Sequence, residues 1–195
     1  MRTRTRLPVG VVVVVLCVIA LATPASANPA KEAVRDTSFA SFQGRMIDLS
    51  KSWEGAEVCA VVSRSDVRCY ASREESIVAL APTTAINGGA QNTDGTVGLL
   101  SWNGCANGWL CIYEHASYGG RQLSFNDEYW HDLDEWGFKD QTSSWTNNQG
   151  GWVFGCSGSD SGTLGDGAGD NRTMTDCTEA SNLGSYNDRT EDIHG

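Results

Sequence analysis

The sequence predicts an all-β protein. Three observations carry that reading: a motif repeated near the C-terminal end, short apolar runs separated by glycine-rich turns, and an even set of cysteines downstream of an export signal. The repeat is the most specific. Gly137-Phe138-Lys139-Asp140-Gln141-Thr142-Ser143-Ser144-Trp145 and Ser185-Tyr186-Asn187-Asp188-Arg189-Thr190-Glu191-Asp192-Ile193 carry an aromatic, an Asp, a Thr and a large apolar residue in the same order, with Asp140 and Asp188 48 positions apart. Self-similarity at that spacing marks a duplicated supersecondary unit.

The first element is the export signal, residues 1–27. Arg2, Arg4 and Arg6 form its basic segment, Val9 to Ala22 its apolar core, and Ala25-Ser26-Ala27 a small-residue cleavage site, so the mature chain is expected to begin just after Ala27. The apolar run is short and soon meets Pro24, against about 20 residues for a membrane span. The expectation is a secreted, extracellular protein with no membrane association after signal removal. Of the seven cysteines, Cys17 leaves with the signal. The remaining six read as a disulfide framework, with Cys59–Cys69, Cys105–Cys111 and Cys156–Cys177 the favoured pairs because each joins neighbours in the expected strands. Loss of the three signal arginines takes the formal charge from −10 to −13. That balance excludes nucleic acid, whose phosphates need a basic footprint, and favours solubility as a monomer.

Residues 28–41 are small and polar and read as a flexible lead-in. A small stapled module is expected over 42–82, near the size where a core alone scarcely suffices, so that packing on its neighbour is the alternative to folding alone. Val58 to Ser63 and Val67 to Ala71 are rich in β-branched residues around the polar Arg64-Ser65-Asp66, which predicts a hairpin with Cys59 facing Cys69. Ser72-Arg73-Glu74-Glu75 has the spacing of a capping box ahead of Ile77-Val78-Ala79-Leu80, so a short helix follows and ends by Pro82. Residues 83–98 shift to Gly, Asn, Thr and Ala and read as a linker. The domain at 99–195 follows. Trp109 to Tyr113 and Gln122 to Phe125 alternate as half-buried strands, and Trp152-Val153-Phe154 is expected to open the second unit. Ser157 to Asp170 lacks bulky residues and reads as a mobile loop. It is not an EF-hand, since the position eleven after Asp160 is Asn171 rather than Glu.

Tyr113-Glu114-His115-Ala116-Ser117-Tyr118-Gly119-Gly120-Arg121 precedes the first repeat, an aromatic strand folding back through a glycine turn. Together with the Asp-x-x-Ser-Ser loop it resembles the Greek-key unit of the βγ-crystallin superfamily. With Cys105, Cys111, Ile112-Tyr113-Glu114, the Gly137-to-Ser144 loop and Asn147-Asn148, residues 101–195 are similar to the secreted bacterial peptidase-inhibitor family on that fold, whose known member inhibits metalloproteinases. The resemblance implies a βγ-crystallin-like double Greek-key sandwich, an extracellular peptidase as partner, and no enzymatic activity. It carries over no reactive loop. Exposed candidates are Asn126 to Glu135, with Tyr129, Trp130 and His131 among acids, and the loop 157–170; the competing reading of the former is a crossover with Trp130 and Trp136 in the core.

The resemblance also implies calcium, held where paired loops bring an acidic or amide side chain, a backbone carbonyl and a hydroxyl together. The matching positions are Asp140, the Gln141 carbonyl and Ser143 in one loop, and Asn187, Asp188, the Arg189 carbonyl and Glu191 in the other, with the Glu114 carbonyl in addition. Lys139 stands at the motif's leading acidic or amide position, and Glu191-Asp192 replace its hydroxyl pair. A weak site is therefore expected, against the plainer reading that these loops hydrogen-bond their own turns. Catalysis has least support. His115, His131 and His194 lack the i, i+4 spacing of a helical zinc site, no G-x-S-x-G elbow is present, and Asp132, Asp134 and Glu135 read as a solvated acidic loop.

Overall fold

The computed structural model describes residues 38–80, 101–150 and 160–195. The export signal, the linker 83–98 and Trp152 to Phe154 lie outside the described residues. Chain order begins with β1 (Phe39–Phe42) and β2 (Arg45–Asp48), a hairpin whose turn residues Gln43 and Gly44 both take positive φ, as the twist of a tight hairpin requires. The lead-in thus ends before Phe39 rather than at 41. β3 (Val58–Ser63) and β4 (Asp66–Tyr70) form the expected hairpin, with Cys59 directly opposite Cys69 and bonded to it. Helix α1 (Arg73–Leu80) follows. The Ser72 hydroxyl accepts the Glu75 backbone N–H at 3.2 Å, and the Glu75 carboxylate accepts from Ala71 at 2.9 Å, which caps the helix start as the spacing predicts.

A small hairpin, β5 (Ser101–Trp102) and β6 (Cys105–Ala106), leads into β7 (Leu110–His115), β8 (Gly119–Phe125), β9 (Trp130–Asp132) and β10 (Ser144–Asn147). The Cys105–Cys111 bond ties β6 to β7. The second unit is β11 (Gly162–Gly165), β12 (Asn171–Met174), β13 (Thr178–Ala180) and β14 (Asp192–His194). Two sheets run β13-β10-β7-β8-β3-β4-β1-β2 and β12-β11-β14-β9. Each unit of four strands gives its third strand to the other's sheet: β9 of the first pairs with β14, and β13 of the second pairs with β10. That exchange is the double Greek key of the βγ-crystallin fold, and it is why the two sheets cannot separate without breaking both units.

Two expectations are corrected. The segment 157–170 is not a mobile loop throughout: Gly162–Gly165 is a central strand between β12 and β14, with Leu164 fully buried. Nor is the stapled hairpin set apart from the Greek keys. β3 pairs in parallel with β8, from Val58 beside Gln122 to Val61 beside Phe125, so the hairpin and the Greek keys share one sheet.

The extended sheet is a middle layer. On one face Cys59, Val61, Leu110, Ile112, Leu123, Phe125 and Trp145 pack with Leu164, Met174 and Ile193 of the smaller sheet. On the other, Val58, Ala60, Cys111 and Tyr113 pack with Tyr70, Cys105, Ala106 and Trp109, with Leu80 of α1 against them. Burial on both faces explains why β3 and β7 are nearly continuous apolar runs rather than alternating ones. Trp109 and Trp145 are core residues, 5% and 7% exposed.

Candidate functional site

The repeated loops meet at one end of the sandwich, joined across a local two-fold. The Asp140 N–H donates to the Thr190 carbonyl at 2.8 Å, and the Asp188 N–H donates to the Thr142 carbonyl at 3.0 Å. The offset of 48 carries one bond onto the other. Asp140 and Asp188 both take φ of 56°, a left-handed conformation that Asp tolerates better than most side chains. Phe138 and Tyr186, again paired by the repeat, are buried beneath, and Thr142 and Thr190 are fully buried beside them. Each loop is also tied to the first strand of its own unit: Ser143 N–H donates to Tyr113 O, and Glu191 N–H to Gly165 O, both at 2.9 Å.

Side chains break this symmetry. Where the first loop has Lys139 and Asp140, the second has Asn187 and Asp188; where the first has Ser143, the second has Glu191. In one crossing, the Ser143 hydroxyl donates to Asp188 Oδ1 at 3.1 Å and Asn187 Nδ2 donates to Asp188 Oδ2 at 2.8 Å. The Asn187 Oδ1 atom is buried without a hydrogen-bond partner. A carboxylate, a hydroxyl and an orphaned amide oxygen are hard donors of the kind calcium takes. In the other crossing, Lys139 Nζ donates to Glu191 Oε2 at 2.7 Å. The Glu191 bond and the nearby charges of Glu191, Asp140 and Asp132 push the Lys139 ammonium pKa up, so it stays charged. A divalent ion brought to Glu191 meets that ammonium at short range, where like charges repel. This half does not fit a calcium ion.

The remaining expected ligands have other work. Gln141 donates through Nε2 to Gly137 O at 3.1 Å and accepts from Arg121 through Oε1. Arg121 also grips Glu114 through two donors, near 3.0 Å, and lies over the rings of Trp53 and Phe138. The Arg121 hydrogen bonds hold the Glu114 carboxyl below its usual range. Arg189 pairs with Asp166 at 2.7 Å and lies over the Tyr186 ring. Burial opposes ionisation of Asp166, yet the backbone N–H groups of Asp170 and Ala168 and the Arg189 guanidinium outweigh it, and its pKa falls. Burial, then Asp132, Glu191 and Asp166, raise the pKa of Asp192, which faces Asp132 directly across β14 and β9. Among the described residues, no group of three or more His, Cys, Asp or Glu side chains is arranged to hold a metal.

The acidic-aromatic segment divides. Trp136 is 1% exposed and belongs to the core; Trp130, at 53%, does not, which corrects the crossover reading in which both were buried. Tyr129 is also exposed, with the Arg64 guanidinium stacked on its ring, and Trp130 packs edge-on against His194. His131 is buried and hydrogen-bonded to Asp127 at 2.7 Å. Asp132 caps the 3-10 turn Leu133–Trp136 by accepting from the Asp134 N–H. Cys177 is disulfide-bonded, its partner lying outside the described residues.

Residues 100–167 match the family model described as peptidase inhibitor family I36. That span runs from β5 to β11. Solved structures similar to the chain include a βγ-crystallin from Ciona intestinalis, at 22% identity over 45% of this chain and 98% of that one, with a TM-score of 0.34. Others are the N-terminal domain of Protein S (17% identity, 44% and 92% covered, TM-score 0.35) and a point mutant of a βγ-crystallin domain from Clostridium beijerinckii (19%, 44% and 94%, TM-score 0.34). Among curated proteins nothing matches the chain.

Proposed function

We propose, from the match of residues 100–167 to the model of peptidase inhibitor family I36 and from the double Greek-key scaffold that carries them, that the protein is an exported inhibitor of an extracellular peptidase, a metalloproteinase in particular, with no catalysis of its own. The family match is the observation that carries this reading. The scaffold agrees with it physically: disulfides and a core on both sheet faces hold surface segments in place before contact, so little ordering entropy is lost on binding. Among the described residues no helix is long and apolar enough to cross a membrane.

The contact with the peptidase is put at Tyr129 and Trp130. Both rings stand exposed, Trp130 opening an edge strand and Tyr129 just before it, among Asp127, Glu128, Asp132 and Asp134. Aromatic anchors ringed by charge are the usual make-up of energetically dominant contact residues, and the acids suit a basic target surface. Purified protein assayed against thermolysin, a bacterial neutral metalloproteinase, subtilisin and trypsin tests the function. Inhibition of a metalloproteinase at micromolar concentration or below is expected, weakened about 10-fold or more by Trp130→Ala with an unchanged melting temperature. No inhibition across the panel would remove the inhibitor reading. The Asp188 crossing favours a second reading, a calcium-stabilised extracellular interaction module, which that result would leave standing.

A further inference from the structure

Both described lysines and six of the seven described arginines pair with a carboxylate of this chain. Arg64 is the exception. It stands exposed on the turn between β3 and β4, its side chain has no ion pair or hydrogen-bond acceptor among the described residues, and its guanidinium lies 3.8 Å from the centre of the Tyr129 ring. We infer that Arg64 is a specificity-determining residue of the contact surface, where it receives an Asp or Glu side chain of the target peptidase beside the aromatic anchors. The inference rests on the placing of that contact at Tyr129 and Trp130, and it adds a residue from outside the matched span 100–167.

Geometry and charge support this. At 3.8 Å an upright guanidinium would press a nitrogen into the ring, so the group lies nearly flat on Tyr129 with its N–H edge turned sideways. A planar fork held in this way is set for two parallel bonds to a carboxylate, and little side-chain freedom remains to be lost on binding. Carboxylates of this chain lie close by in sequence without pairing to it: exposed Glu128 precedes Tyr129, and Asp66, two positions along the turn, pairs with Arg68. With 24 acidic residues against 14 basic ones, an uncommitted cation is where a partner's carboxylate meets attraction rather than repulsion. The two anchors are held from different parts of the chain, Tyr129 by Arg64 and Trp130 by His194 of β14, with ring centroids 5.5 Å apart in the latter pair. Around them Asp127, Glu128, Asp132 and Asp134 favour bases on the target and repel its acids. One cation among these acids admits one target carboxylate, and so fixes the register in which the target docks.

The test compares the wild type with Arg64→Lys, Arg64→Gln and Arg64→Glu on the panel peptidase that the wild type inhibits most tightly, at low and high salt. Inhibition is expected to weaken about 3-fold for the Lys variant, about 10-fold for Gln and about 100-fold for Glu, with salt narrowing the gap between the wild type and Arg64→Glu. An equal, salt-insensitive loss in all three variants makes Arg64 a mere prop for Tyr129 and overturns the inference. So does an Arg64→Glu variant within about 2-fold of the wild type, or tighter than it. A wild type that inhibits none of the panel removes the inhibitor reading instead, and the carboxylate seat is then decided without a peptidase. In that case N-acetyl-Leu-Glu-Leu-amide and its Gln counterpart, at millimolar concentration, are titrated into the labelled protein and followed by nuclear magnetic resonance. The Arg64 Nε–H resonance is expected to move with the Glu peptide alone; movement with neither, or equally with both, overturns the inference.

Discussion

At Asp192, burial and the charges of Asp132, Glu191 and Asp166 raise the carboxyl above its ordinary 3.8, a shift that works against the fold at neutral pH. The unfolded chain ionises this group more easily than the folded one, so folding carries a penalty above the folded pKa. The penalty fades as pH falls through that value and is gone below the unfolded one. Asp192→Asn keeps the shape and removes the charge. Its melting temperature is expected to exceed the wild type's at pH 7, with the gap closing toward pH 4 and below. Thermal melts across a pH series check this, and a gap that widened toward acid would reverse the assignment. The paired aspartates at this end were legible in the sequence because Asp140 and Asp188 sit at the same place in a repeat, and such a repeat forces the same backbone. The Lys139–Glu191 pair was only half legible. Lys139 is out of place for a metal in the repeat, but its partner lies in the other loop, 52 positions away, and only the reciprocal backbone bonds bring the two together.

Elements follow their sequence signals where local residues decide, and depart from them where neighbours do. The Cys59–Cys69 hairpin and the Ser72-capped helix have turn, cap and cross-strand partners within a few residues, and both form as expected. β11 does not announce itself: it has glycine at both ends and Leu164 as its one bulky core residue, so pairing with β12 and β14 makes it a strand. Trp130, core in the crossover reading, is exposed because alternation along β9 turns His131 inward and leaves Trp130 and Asp132 facing out. Gly137 shows how tightly elements are joined. It ends the 3-10 turn at φ 58°, its N–H donating to Asp134 O, and a Cβ there would lie 2.9 Å from the Leu49 carbonyl. Gly137→Ala therefore meets both left-handed strain and a backbone collision, and is expected to cost about 2 kcal/mol or more by urea titration. A cost below about 0.5 kcal/mol, the size of an ordinary surface change, would mean the loop after β2 gives way freely.

For the whole molecule, the decisive pairing is β3 with β8, because it turns a four-stranded Greek-key sheet into one of eight strands. The sequence held a sign of it. Val58 to Val61 are all buried, and an unbroken apolar run belongs to a strand with cover on both faces rather than to the solvent-exposed hairpin that a separate small module would offer. What could not be read is the partner, since parallel pairing across more than sixty residues leaves no local pattern. The same join is reinforced by side chains: the Trp53 indole donates to Trp136 O at 2.8 Å, and Arg121 lies over Trp53 while holding Glu114. Ala40, Phe42, Ile47 and Leu49 share one core with Leu123, Phe125 and Trp136. A segment of 43 described residues, 38–80, that buries its apolar face against a neighbour cannot keep it buried alone. Differential scanning calorimetry of the full chain is expected to give one transition, its calorimetric and van't Hoff enthalpies agreeing. A peptide of residues 38–80 with its disulfide closed is expected to melt without cooperativity. Two separate transitions, or a cooperative melt of the peptide, would restore the boundary between a stapled module and a Greek-key domain. Conversely, a chain beginning at residue 99 would bare the whole edge of β8, from Gln122 to Phe125, to pairing with another molecule.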